Sequence, residues 1–127
     1  MRQLNDHIVP GDSANHQLSV EVLDEPGQGG ACHVYEISTD SIGGGGKSLH
    51  NLRISFQDGP IKEVGVNGVT HEALLAVLID RMRSFQEGPY KCRENAIALT
   101  HLEDALMWLQ RRTVARIRRG VEGTHSI

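Results

Sequence analysis

Trp108, Arg112, Arg116 and Arg119 follow one another at spacings of four, four and three, which puts them on one face of a helix. A guanidinium offers phosphate oxygens a planar fork of N–H donors, and an indole offers a base a ring to stack on. From Gln110 onward the chain holds five arginines (Arg111, Arg112, Arg116, Arg118, Arg119) against one acid, Glu122, so an anion-seeking function belongs at this end. The plainer account is that these cations complement the negative end of a helix. A second small cluster straddles Gly88-Pro89, with Phe85 before the bend and Asn95 after it. A helical hairpin brings both near its tip, where a ring to stack a base meets an amide to read its edge. Taken singly, Phe85 ends an apolar stripe and Asn95 faces water.

Other chemistry fails on spacing. "IGGGGKS" invites comparison with a phosphate-binding P-loop, but Ser41 stands where that pattern needs its first glycine. The residues after Lys47-Ser48 also read as a strand, not as the required helix. The seven histidines (His7, His16, His33, His50, His71, His101, His125) show no HExxH or Cys/His grouping. No nucleophile is paired with a base in a catalytic motif. The expectation is therefore no catalytic residue, no metal and no cofactor: a binder rather than an enzyme. Cys32 and Cys92 lie far apart, which suits free thiols in a reducing compartment. The start, "MRQLNDHIVPGD", has no apolar leader, and the run Ala73 to Ile79 is too short to span a bilayer. A soluble cytosolic protein with no membrane partner is expected. The net charge of −3 disfavours nucleic acid as the general partner, which leaves the arginine-rich end as the exception.

At 127 residues and 39% hydrophobic, the chain suffices for one compact domain. Residues 1–17 are polar and aperiodic and read as a flexible arm. "LSVEVLDE" (from Leu18) alternates apolar and polar residues as a strand, "PGQGG" turns the chain, and "CHVYEIST" gives a second strand. After the glycine-rich connection "DSIGGGGKS", "LHNLRISFQ" and "PIKEVGV" read as two more strands joined at Asp58-Gly59. The sheet covers about 18–66. The periodicity then changes: Asn67 or Thr70 caps a helix whose stripe is Leu74, Leu75, Leu78, Met82 and Phe85, stopped by Gly88-Pro89. A second helix runs from about Lys91 to Arg119, with Gly120 as its cap. The fold class is α+β: a small, mostly antiparallel sheet, then a two-helix antiparallel hairpin at about 69–119, in one domain over 18–127.

Helix length supplies one more deduction. Asn95 and Arg112 are seventeen residues apart on one helix, roughly 25 Å along its axis. A mononucleotide- or dinucleotide-sized ligand does not easily reach both. Two copies of the helix, antiparallel and crossing near Glu103 to Ala105, set Asn95 of one copy beside Arg112 of the other. A twofold dimer with two equivalent pockets follows as an expectation.

"GPIKEVGVNGV", "LLAVLIDRM", "GPYKCRENAIALTHLEDALMWLQRRT" and "RRGVEGT" resemble the phage Thoeris anti-defence proteins of the first type. The helical hairpin is also similar to that of the type-two anti-CBASS proteins. The resemblance spans roughly Leu18 to Thr124 and is densest from Gly59 onward. It implies a sponge that binds cyclic ADP-ribose derivatives made by bacterial TIR-domain enzymes and withholds them, uncleaved, from the Thoeris effector. It further implies a homo-oligomer with its pocket between protomers, acting in the cytoplasm of the infected host. Cyclic di- or trinucleotides of CBASS are additional ligands implied at separate sites in a larger assembly. The implied pocket residues match Phe85, Asn95, Arg112 and Arg116. Trp108, Arg119 and Arg53 are secondary candidates, Arg53 for an arginine on the strand side of the pocket. Two other readings stand beside this one: a small nucleic-acid-binding regulator using the arginine-rich helix, and an enzyme that degrades the signal.

Overall fold

The computed structural model describes residues 1–39 and 51–127. The glycine-rich connection and the P-loop comparison fall on residues 40–50 and lie outside the described residues. The chain forms two compact units, Met1–Asp58 and Gly59–Ile127. The reason is that each half satisfies itself locally: strands pair with strands in the first, and helix packs on helix in the second.

In the first unit, β1 (Arg2–Leu4), β2 (Leu18–Val22), β3 (Val34–Thr39) and β4 (Leu52–Ser55) form an antiparallel sheet in chain order. Part of the segment expected to be a flexible arm is thus the first strand, with Arg2 opposite Val22 and Leu4 opposite Val20. Register explains the two faces. Leu4, Val20, Ile37 and Leu52 line up across the sheet, and Val22, Tyr35 and Ile54 line up beside them. Period two then puts the polar Gln3, Glu21, Glu36 and Arg53 on the opposite face. Val22 is completely buried, and Tyr35 meets Phe56 edge-on with ring centroids 5.6 Å apart.

The turn between β2 and β3 is held by Asp24. Its carboxylate accepts the backbone N–H of His33 at 2.8 Å and of Val34 at 3.1 Å. These bonds, His33 first, hold the carboxyl below its ordinary range, against a smaller opposing push from desolvation. Asp12 is lowered likewise, chiefly by the Val9 N–H at 2.9 Å. A depressed carboxyl pKa contributes stability above its unfolded-state value, near 4, which is lost as pH falls through the lowered folded value. Asp24→Asn should therefore lower the melting temperature at pH 7 and flatten its decline as pH falls below about 4. Thermal melts across that range check this. A variant as acid-sensitive as the parent would assign the loss to other groups.

The second unit opens with α1 (Ile61–Val64), a single helical turn where "PIKEVGV" reads as a strand. The apolar Ile61 and Val64 are three apart, a spacing that sets them on one face of a helical turn but on opposite faces of a strand. Pro60 (φ −67°) starts the turn and its carbonyl accepts from Val64, while Gly65 at φ 75° ends it. The expected β-hairpin at Asp58-Gly59 is therefore not formed. Gly59 adopts φ 93°, and a Cβ there would stand 3.0 Å from Val64 Cγ2.

α2 (His71–Glu87) is capped by Thr70, whose hydroxyl accepts from Ala73 N at 3.1 Å, which decides between the two expected caps. Its inward residue is Ile79, 3% exposed, whereas Leu78 of the expected stripe is 48% exposed. α3 (Arg93–Arg119) ends on Gly120 at φ 73°, ψ 18°, a left-handed cap as the sequence suggests. Arg83 of α2 donates to Glu103 of α3 through Nε (3.2 Å) and Nη2 (2.7 Å), fixing the register of the hairpin. α3 runs for 27 residues against 17 for α2, and none of its residues is buried. Ile97, Met107, Trp108, Val114 and Ile117 stay exposed along it.

Candidate functional site

The bend between α2 and α3 is pinned rather than loose. Gln86 reaches across it with its side-chain amide, donating to the Cys92 carbonyl and accepting from the Cys92 N–H, both at 3.2 Å. Gly88 N–H caps the end of α2 on Phe85 O at 3.2 Å, and Cys92 Sγ accepts from Asn95 N at 3.4 Å to start α3. A rigid bend is what a preorganised site needs.

Beside the bend lies an open groove of about 490 Å³. Its long wall is one flank of α2, with Val77, Arg81 and Phe85 stepping by four, and Gly88, Pro89 and Tyr90 close its end. That volume falls within the roughly 300–1,000 Å³ of small-molecule sites. Phe85, half-buried, carries the Arg81 guanidinium 4.9 Å from its ring centroid, and its centroid is 6.4 Å from that of Tyr90. Arg81 and Tyr90 escaped the sequence reading. The spacing of Arg81 and Phe85 by four, with an aromatic directly after Gly-Pro, was the available pointer.

The structure distributes the other expected residues as follows. Asn95 is half-buried in the first turn of α3, and among the described residues its side-chain amide has no partner. It is not one of the residues lining the groove. Arg112 is exposed and likewise has no hydrogen-bond or ion-pair partner among the described residues. Helix geometry keeps it roughly 25 Å from Asn95 within one chain. Trp108 is 60% exposed with Arg111 stacked 4.8 Å over its ring. Glu103, at the crossing expected between two copies, is engaged by Arg83 within one hairpin, so the outward residues there are Asp104 and Ala105.

Arg116 has a different occupation. Nη1 donates to Ser126 O at 2.7 Å, and Nη2 donates to Val121 O at 3.1 Å and Thr124 O at 3.0 Å. Arg119 similarly donates to Ile127 O at 2.6 Å. Past Gly120 the chain turns back, and both arginines clasp its carbonyls. The segment is also tied to α1, through Lys62 N–H on Gly123 O at 3.0 Å and His125 Nδ1 within 3.3 Å of Glu63. Arg116 and Arg119, expected to face a ligand, face the chain's own backbone in this arrangement. Arg53 belongs to the first unit, where it sits opposite Glu36 in the sheet, 3.5 Å from its carboxylate.

Among the described residues no cluster of His, Cys, Asp and Glu could hold a metal, and no helix is long and apolar enough to cross a membrane. The family model described as the "Acb2/Tad1, hairpin domain" matches residues 48–114, more than half of the chain. The chain belongs to the Acb2/Tad1 hairpin family. The match takes in α2, the pinned bend and most of α3, and with them Phe85, Asn95, Trp108 and Arg112. Arg116, Arg119 and the returning tail lie past its end. "Thoeris anti-defense 1" of Bacillus phage SBSphiJ7 is 56% identical over 72 residues, which are 57% of this chain and 51% of that protein. The matched segment thus spans about half the length of this relative.

Proposed function

We propose that this hairpin-family chain is a phage anti-defence protein that binds and sequesters cyclic ADP-ribose signals of bacterial TIR-domain enzymes without cleaving them. Sequestration in the cytoplasm of the infected host withholds the signal from the Thoeris effector. The observation that carries the reading is the groove at the bend. It offers an aromatic ring on a rigid frame, with the side-chain amide of Asn95 unpartnered in the adjacent first turn of α3. The relative named as a Thoeris anti-defence protein supports it independently.

Base and phosphates then divide between two chains. Phe85 stacks the base and Asn95 reads its edge, while Arg112 of a second copy forks onto the diphosphate. The exposed Ile97, Met107, Trp108, Val114 and Ile117 give α3 apolar surface to bury in such a dimer. Because Arg116 and Arg119 already hold the tail, Arg112 carries the anion in this reading. A steeply salt-dependent nucleic-acid binder is less well served, since two of the five arginines at this end are engaged by carbonyls.

Calorimetric titration against a panel of cyclic ADP-ribose isomers and cyclic di- and trinucleotides tests the proposal. Saturable binding of a cyclic ADP-ribose isomer is expected, at a stoichiometry of two ligands per dimer. Heat denaturation of the complex should return that nucleotide intact. Fragments would make the protein an enzyme, and heat-free titrations across the panel would refute the ligand class. Binding of the cyclic oligonucleotides in the same panel would extend the reading to CBASS signals.

A further inference from the structure

We propose that Arg81 and Tyr90 complete the groove as a clamp, with Tyr90 closing over a base stacked on Phe85 and Arg81 holding the phosphate beside it. The inference rests on the nucleotide-binding reading above and adds two ligand contacts that neither spacing nor the family match assigned.

The first observation is the position of the Arg81 guanidinium, 4.9 Å from the centroid of Phe85. A guanidinium lying on a ring uses its flat face, which leaves its in-plane N–H edge available to an anion. Among the described residues Arg81 has no carboxylate partner that would occupy that edge. The ring contact restricts where the guanidinium can go, so less conformational freedom is lost when phosphate arrives.

The second observation is Tyr90, which is 73% exposed although it follows a Gly-Pro bend held on both sides by hydrogen bonds. Its ring centroid lies 6.4 Å from that of Phe85, at an interplanar angle of 58°. A base sandwiched between two rings sets them about 7 Å apart, twice the stacking rise of roughly 3.4 Å per base. A small opening and a rotation of Tyr90 toward parallel make that space. A large, stiff aromatic that touches only the edge of this groove from a rigid bend is suited to gripping a planar group.

Asp80 gives the clamp a direction. Asp80 is among the residues lining the same groove, one position before Arg81, and its negative charge disfavours phosphate on its own side. It is placed to accept a ribose hydroxyl or the exocyclic amine of a base. The sugar-base part then lies toward Asp80 and Tyr90, and the phosphate toward Arg81.

Calorimetry with the full chain and cyclic ADP-ribose isomers as probes tests this. Both side chains are exposed at the surface, so variants should melt as the parent does. Arg81→Ala should weaken binding about tenfold or more, and Arg81→Lys should recover only part of the loss, because lysine keeps the charge without the fork. Tyr90→Leu should weaken binding about tenfold, while Tyr90→Phe keeps the ring and should bind like the parent. If the parent binds and both Arg81→Ala and Tyr90→Leu bind within threefold of it, the clamp is wrong while sequestration stands. A parent that binds no isomer overturns both.

Discussion

Arg112→Lys should lower affinity for a cyclic ADP-ribose isomer by about 10- to 100-fold while leaving the melting temperature within roughly 2 °C of the parent's. The second half of that expectation follows from the structure. Arg112 is exposed and, among the described residues, bonded to nothing, so the folded chain loses little when it changes. The first half follows from the difference between a fork and a point charge. Lysine retains the positive charge but not the two parallel N–H bonds, and a hydrogen bond to a charged group contributes about 1.5–3 kcal/mol. At 1.4 kcal/mol per decade, one lost arm gives the stated range. Arg112→Ala, which removes the charge as well, should bind more weakly still. Equal affinity in Arg112→Lys would mean that the arginine acts only through long-range charge, or lies outside the pocket. Mixing Arg112→Ala with Asn95→Ala chains sharpens the point. If the pocket lies between chains, heterodimers keep one intact site and one doubly damaged site, and about half of the mixed dimers' sites recover.

How much of this was legible in the sequence depended on whether the deciding interaction was local. β2 could be read because its alternation over five residues leaves one choice of face, and Val20 and Val22 share that face with Tyr35 and Ile37 of β3. α2 and α3 could be read because a cap, a stripe and a stop agree at each. α1 could not, since four residues are too few for a period to tell a strand from a single turn, and the outcome is set by Pro60 and Gly65. β1 was missed because three residues carry no period; their partner Val20–Val22 decides them. The site divides along the same line. Phe85 and Asn95 could be placed beside the bend through the hairpin that frames them, a feature of local sequence. Arg81 was overlooked because its ring contact depends on a side-chain rotamer rather than on residue type. Arg116 is the sharpest case. It shares a helix face with Trp108 and Arg112, yet its partners are backbone carbonyls five to ten residues of returning chain away, and any residue type supplies a carbonyl.

That difference can be measured, and it yields the other large expected effect. Arg116→Ala should destabilise the second unit and release the tail. Its guanidinium makes three charge-assisted bonds to Val121, Thr124 and Ser126, and it satisfies carbonyls that Gly120 leaves turned back on the helix end. Loss of such a network, partly exposed, costs about 1–3 kcal/mol. For a unit of this size that corresponds to a fall in melting temperature of several degrees, at about 4–8 °C per kcal/mol. Amide hydrogen exchange at residues 121–126 should accelerate toward the rate of free chain, because Val121, Thr124 and Ser126 lose the clasp that orders them. Arg116→Lys should keep part of the clasp through one bond. Nucleotide affinity is the discriminating readout. If Arg116 serves the tail, affinity falls modestly and in step with tail disorder, and Arg116→Lys restores both together. If Arg116→Ala abolishes binding while the melting temperature and tail exchange stay at parental values, the arginine must leave the tail to meet the ligand. The carbonyl clasp would then be the state of the empty protein, and the direct phosphate contact implied by the family resemblance would be the state of the loaded one.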